Sequence, residues 1–333
     1  MSGSASRVPA WLVWAAFALP VILVVLSLNL GSYPIPLKAV WTTLTHGPSA
    51  ASPYADILFR VRLPRLLLAL FAGAALAVSG ASLQALFRNP LVFEFSLGIS
   101  YGAAFGAALS LVFLGRGFPP QLAAFAFAVL AVVLVVVIAG RSVSQIVPIL
   151  LSGVIVSALF QALLSLAEFF ANPYALQSLV FWLMGSLSQA AWGDLAVPLP
   201  IIGLGVILLV LLRWRMNVLS LGEDEAKALG VNVRREKALV IAVATLTTAA
   251  ATSVTGVINW IGLVVPHLVR MMVGADNRKV IPLSAALGAS LLIVADDIAR
   301  GVASFEIPIG ILTSIVGVPF FIVLIKRSGK IWQ

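Results

Sequence analysis

The sequence predicts an all-α membrane protein: about ten transmembrane helices in a single domain, residues 1–333, with both termini in the cytoplasm. Three observations predict this. The composition is 61% hydrophobic and 10% charged, with mean hydropathy +1.11, where soluble domains carry about 25% charged residues. Apolar runs long enough to cross a bilayer recur along the whole chain. The basic residues between those runs fall mostly on alternate loops, as the positive-inside bias requires.

The runs lie near residues 11–30, 63–86, 93–114, 120–140, 146–170, 195–212, 237–256, 258–273, 280–300 and 308–325. The first follows Arg7 alone and lacks a small-x-small cleavage site at Asn29-Leu30-Gly31-Ser32, so it reads as a retained span rather than a signal peptide. The run at 258–273 is short for a full crossing. Pro and Gly interrupt several runs, which a membrane tolerates where protein or a water-filled cavity satisfies the backbone.

Of 21 Lys and Arg, fifteen fall on the inner side and six on the outer, which favours an even number of spans. The net charge of +9 is therefore topological and no case for nucleic acid. The six outer cations are Lys38, Arg60, Arg62, Arg65, Arg116 and Arg300. Arg60, Arg62 and Arg65 cluster at the start of the second span, against the bias that places the others. An acidic docking partner or snorkelling to anionic headgroups would each explain them.

Several chemistries are excluded. With no cysteine there is no disulfide, thiolate or cysteine-ligated metal site, and two distant histidines, His46 and His267, make no metal site alone. GxxxxGK[ST] and HExxH are absent, so the chain has no P-loop and no HExxH metal-hydrolase centre. Ion-coupled carriers bury ionisable groups in their spans. Here Glu94 lies near an inner boundary, Glu168 near an outer one, and Asp296 and Asp297 toward the outer end of the ninth span. Asp296 is four residues before Arg300, the spacing of a helix ion pair. Any driving energy is expected from another subunit. The rival reading is a secondary transporter with Glu168 or Asp296 as coupling carboxylate, and a third is a passive channel or membrane scaffold.

The polar island 213–237, RWRMNVLSLGEDEAKALGVNVRREK, separates two apolar spans and holds a short helix. Ser220 is read as its N-cap, Glu223 as the capping-box partner and Gly230 as the left-handed C′ residue. A separately capped, charged loop helix reads either as an ordinary solvated loop or as a handle for a soluble partner.

In order, the chain carries Arg62-Leu63-Pro64-Arg65, Gly73 to Gly80 with Gln84, Arg88-Asn89-Pro90-Leu91, Leu97-Gly98 with a small-residue run, and Trp182 to Ser186. It continues with Leu221-Gly222, Ala228 to Val231, Gly256 to Arg270, Ala295-Asp296, Ala299-Arg300, Glu306 to Gly310, and Gly317-Val318-Pro319. This ordered set resembles the FecCD or BtuC-like permease subunits of iron-siderophore, haem and vitamin B12 ABC importers, over nearly the whole length.

The resemblance implies a BtuC-like fold in the prokaryotic inner (plasma) membrane, as a homodimer among membrane lipid. Two ATP-binding-cassette ATPases would sit below, holding the ATP and Mg, and a periplasmic or lipid-anchored solute-binding protein above. No cofactor or metal belongs to this chain. The loop helix matching Leu221, Gly222, Glu223, Asp224, Glu225, Ala228, Leu229 and Gly230 would enter a groove on the ATPase. Arg62, Arg65 and Arg300 would meet glutamates of the binding protein. Asn89, Pro90 and Ser144 would form the cytoplasmic gate, and residues 172–192 an outer gating segment in which Trp182 and Trp192 equally suit interfacial anchors. Gly98, Gly102 and Gly106 suit close helix packing, and His267 a structural role near the inner surface. The stretch Val92-Phe93-Glu94-Phe95 departs from the smaller, more polar run expected after the inner turn. The expected cargo is an iron(III)-siderophore, with haem, cobalamin and molybdate or tungstate as alternatives.

Overall fold

A computed structural model describes residues 10–31, 33–48, 53–140, 145–302 and 305–328. All regular structure among them is helical. This follows from the solvent: in hydrocarbon a backbone N–H or C=O has no water, and a helix satisfies each within its own segment.

The chain begins with α1 (Ala10–Asn29) and a short outer helix, α2 (Leu37–His46). A π-helical turn, Ile57–Arg62, then runs straight into α3 (Leu63–Phe87). Next come α4 (Ile99–Ala108), extended by a second π turn to Leu114, α5 (Pro120–Ala139) and α6 (Ile146–Phe170). On the outer side lie α7 (Pro173–Leu183) and the single turn α8 (Trp192–Leu195), before α9 (Pro198–Leu211) returns inward. The polar island forms α10 (Arg213–Leu221) and α11 (Glu223–Ala228). The last group is α12 (Val233–Thr255), α13 (Ile261–Val273), α14 (Asn277–Gly301) and α15 (Ile309–Ser328). Among the described residues, six segments can cross a membrane by length and composition, and four shorter apolar helices (Val13–Asn29, Ile99–Leu114, Ile261–Val273 and Ile309–Val323) accompany them. Their positions follow the apolar runs of the sequence.

The core is built around α3, whose residues from Ser79 to Phe87 are all buried. Small residues make this possible. A Cβ on Gly73 would lie 2.3 Å from the carbonyl oxygen of Gly288, so α3 and α14 touch backbone to backbone. Cβ atoms on Gly102 and Gly106 would fall 2.5 and 2.4 Å from the carbonyls of Phe127 and Ala123, which is the close α4–α5 packing expected of that glycine stripe. The short span proves to be a half-length helix. Residues 256–260 are non-helical, and α13 starts only at Ile261. Nearby irregular segments knit together through Ser186 N–H to Thr255 O (2.8 Å), Ile309 N–H to Gly185 O (2.9 Å) and Gly310 N–H to Met184 O (3.0 Å). Buried backbone outside helices is thus satisfied by protein.

Candidate functional site

The inner loop is a helical elbow. Its bend is Gly222, at φ +150° and ψ 164°, where an added Cβ would stand 2.0 Å from a Glu225 carboxylate oxygen. This corrects the capping expected at Ser220 and Glu223. Ser220 remains inside α10, its hydroxyl donating 2.7 Å to Asn217 O, and α11 starts at Glu223 with Gly222 as N-cap. The carboxylate folded over the cap is Glu225, two residues later than expected. The acidic first turn of Glu223, Asp224 and Glu225 suits the positive end of the helix dipole. The C-terminal expectation holds: Gly230 has φ +78°, with Gly230 N–H to Lys227 O at 2.9 Å and Val231 N–H to Ala226 O at 3.0 Å, a Schellman closure.

The elbow has a fixed underside and a bare outer face. Met216, Val218, Leu219 and Ala226 are buried, whereas Leu221, Asp224, Glu225, Ala228 and Leu229 are exposed. Polar contacts tie the underside to neighbouring helices. Lys237 Nζ donates to Glu223 Oε1 at 2.7 Å, and Arg215 pairs with Glu236, both joining the elbow to α12. Asn217 Nδ2 donates 2.7 Å to Asp276 Oδ1, and the Asn277 backbone N–H donates 2.8 Å to Asn217 Oδ1. Asp276 also caps α14 by accepting from the Arg278 N–H at 3.0 Å. The Arg278 side chain, then Asn217 and the Arg278 amide, hold the Asp276 carboxyl down at about 2, despite some desolvation.

On the outer side, the three arginines expected to dock the binding protein, Arg62, Arg65 and Arg300, lie largely buried. Arg62 is 4% and Arg65 5% exposed, and the Arg300 side chain 9%. Arg62 donates to the carbonyls of Leu28 and Tyr33. Arg65 grips Asp296 through Nε (2.9 Å to Oδ1) and Nη2 (2.8 Å), and reaches Glu306 through Nη1 at 2.7 Å. Arg300 Nε lies 3.1 Å from Asp296 Oδ2 without hydrogen-bond alignment, while Nη2 donates to Asp297 and, at 3.0 Å, to Ser27 Oγ. Arg65 and Arg300 therefore pair with Asp296, Asp297 and Glu306 between α3, α14 and the segment before α15, while Arg62 beside them is held by backbone carbonyls. Desolvation explains the pattern: a charge this deep persists only with a partner. The Asp296–Arg300 helix pair is present, but buried. Asp296 is thus committed to arginines and not poised as a free coupling carboxylate.

At the inner end of α3, Arg88 takes a left-handed conformation (φ +49°), and Asn89 Oδ1 accepts from the Leu91 N–H at 2.9 Å. Asn89 therefore shapes the turn that ends the helix, with Pro90 exposed after it. Ser144 lies outside the described residues. The unusual stretch beyond this turn packs Glu94 inward, 3% exposed, with Oε1 lacking a hydrogen-bond partner. In the outer segment Asn172 caps α7, accepting from Tyr174 and Ala175 N–H groups at 3.1 and 3.0 Å. Trp192 Nε1 donates 2.7 Å to Phe59 O. Behind α7 is a cavity of about 470 Å³ lined in part by Trp182, Ser186, Gln189, Asp194, Thr255 and Glu306. His267 packs against the Phe320 and Phe321 rings, and among the described residues no group of three or more His, Cys, Asp or Glu could hold a metal.

A bundle of apolar spans of this kind has known counterparts. Residues 19–327 match the FecCD transport family. The chain belongs to that family. It is 40% identical over 318 residues to the hemin transport system permease protein HmuU of Yersinia pestis, covering 93% of each chain. It is 39% identical over 319 residues to the molybdate import system permease protein MolB of Haemophilus influenzae, covering 93% of this chain and 94% of that one. A solved structure described as an inward-facing ABC transporter of metal-chelate type superposes with TM-score 0.86 at 36% identity, over 96% of this chain and 99% of that chain. The chain is thus a multi-pass ABC permease of the prokaryotic inner membrane, a transport component rather than an enzyme.

Sequence reasoning missed α2, the buried outer network and the ties beneath the elbow. For α2 a signal existed: Val40 and Thr43 face inward while Leu37 and Trp41 face out.

Proposed function

We propose that this chain is the membrane subunit of an ATP-driven importer of a metal chelate, iron(III)-siderophore first among the candidates. Two copies would form the pathway, working by alternating access between a binding protein outside and two ATPases inside that hold the ATP and Mg. The observation that carries the reading is the elbow: an acidic, separately capped helix with Leu221 and Leu229 exposed on a polar loop. A groove on a soluble partner would cover these two leucines and meet the acidic first turn of α11. The cargo assignment rests on relatives whose names span hemin and molybdate at nearly equal identity, so identity alone does not rank them.

Outside, Arg65 is the route by which an acidic group on the binding protein would engage the buried network. Its partner Glu306 is 46% side-chain exposed and displaceable, while Arg62 and Arg300 brace the site from beneath. Inside, Asn89 and Pro90, with Ser144, are assigned to the gate. The test is co-purification with the ATPase followed by vesicle uptake of a ferric hydroxamate, haemin, cobalamin and molybdate in parallel. ATP-dependent uptake of the ferric chelate above the other three supports the assignment. Uptake of only one of the others moves the cargo, and ATP-independent uptake refutes the importer reading.

A further inference from the structure

The elbow's underside contains more polar attachment than burial alone requires. Met216 and Ala226 are fully buried and would hold α10 and α11 against the bundle by themselves. Apolar contact is non-directional, however, and lets a short helix slide or rotate. The polar contacts are directional, and they lead to the inner ends of two long helices. Glu223, the first residue of α11, reaches Lys237 on α12 at 2.7 Å. Asn217, one turn before the Gly222 bend, uses both ends of its amide. It donates to Asp276 at 2.7 Å and accepts from the Asn277 N–H at 2.8 Å, so it grips the N-cap and first residue of α14 together.

We propose that Asn217, with Asp276, and Glu223, with Lys237, are positioning residues that make the elbow and the inner ends of α12 and α14 move as one body, carrying displacement of α11 into the spans. This rests on the reading that a partner ATPase pushes α11. The chemistry at Asn217 is specific. Aspartate at 217 could still accept from the Asn277 N–H, but would face the Asp276 carboxylate at hydrogen-bond distance with no proton between them. An Asn217→Asp, Asp276→Asn exchange restores one donor facing one acceptor, and Asn at 276 remains a good N-cap.

α14 links the elbow to the opposite surface. It begins at the Asn217 clamp and ends at Asp296, Asp297 and Arg300, bound to Arg65 and, through Ser27, to α1. Displacement of its inner end therefore reaches the outer ion network through one packed helix, touching α3 backbone to backbone at Gly73 and Gly288.

The experiment uses the full chain in nanodiscs, and the absence of native cysteine leaves introduced ones as sole labelling sites. Spin labels replacing Asp224 and Lys279, both exposed, report whether α11 is fixed relative to α14. The wild type should give a narrow distance distribution, Asn217→Asp a broad one, and the Asn217→Asp, Asp276→Asn exchange a narrow one again. Labels replacing Trp41 and Tyr174 on the outer face are then read in the complex with the ATPase, with ATP and vanadate. The wild type should show an ATP-dependent shift, Asn217→Asp should lose it while ATP hydrolysis continues, and the exchange should recover it. A structural role alone would not move this pairing of retained hydrolysis with a lost outer shift. An undiminished shift in Asn217→Asp, or an exchange variant that stays broad, overturns the proposal. If the wild type binds no ATPase, the importer reading fails and the transmission role with it, while the first label pair still reports whether the clamp exists.

Discussion

Asp296→Asn should be among the most damaging single substitutions that leave side-chain shape intact. The Asp296 side chain is 0% exposed, contacts Arg65 at 2.8 and 2.9 Å and Arg300 at 3.1 Å, and shares these two arginines with Glu306 and Asp297. Removing its charge leaves Arg65 with only the half-exposed Glu306 and Arg300 with only Asp297, beside Arg62, which has carbonyl partners. Breaking a buried pair by neutralising one partner costs about 3–5 kcal/mol, because the remaining charge stays desolvated. For a chain of this size, at about 2 °C per kcal/mol, the apparent melting midpoint should fall by roughly 6–10 °C. Intrinsic tryptophan fluorescence in detergent reads this directly, with eight tryptophans in the chain. Arg60→Ala is the control. Its pair with Asp56 has the same chemistry at 3.0 Å, but the side chains are 80% and 82% exposed, so the cost should stay within about 1 kcal/mol. A melting shift for Asp296→Asn no larger than that of Arg60→Ala would refute the reasoning that burial sets the magnitude.

Other outcomes follow from the same geometry. Gly102→Val should destabilise by about 1–3 kcal/mol or more through overpacking, since its Cβ would press on Phe127 O at 2.5 Å; a thermal melt checks it. Leu229→Asp should abolish co-purification with the ATPase while leaving the melting midpoint unchanged. The Asp276 carboxyl is held down at about 2, first by Arg278. A depressed acid contributes stability above its unfolded pKa of about 3.9 and loses it as pH falls toward 2. Hydrogen exchange around residues 276–280 should therefore be steady from neutral pH to about 4 and, after correction for intrinsic rates, rise below it. Asp276→Ala should remove that acid step.

The apolar runs were legible because lipid demands long, satisfied helices, and a hydropathy pattern states that demand directly. The Gly230 closure was legible too, because a positive φ after a helix selects glycine. The elbow's N-terminus was not. Ser220 and Glu223 carry the right letters at capping-box spacing, but α10 continues through Ser220, and only the unusual backbone at Gly222 sets the bend. The outer arginines show a deeper limit. Their departure from the positive-inside bias marks them as special, yet a sequence does not state whether a cation faces a partner protein or a buried carboxylate. Arg65 meets Asp296 across 231 positions, and Asn217 meets Asp276 across 59. Contacts at such separations come from packing, not from local pattern.

On the proposed function, this polypeptide moves its cargo only when another subunit's nucleotide hydrolysis drives α11. Proteoliposomes containing the chain with and without its ATPase, supplied with binding protein and a ferric hydroxamate, test it most directly. Accumulation is expected only with the ATPase and ATP, and none under proton or sodium gradients alone. Accumulation under an ion gradient without the ATPase would contradict it.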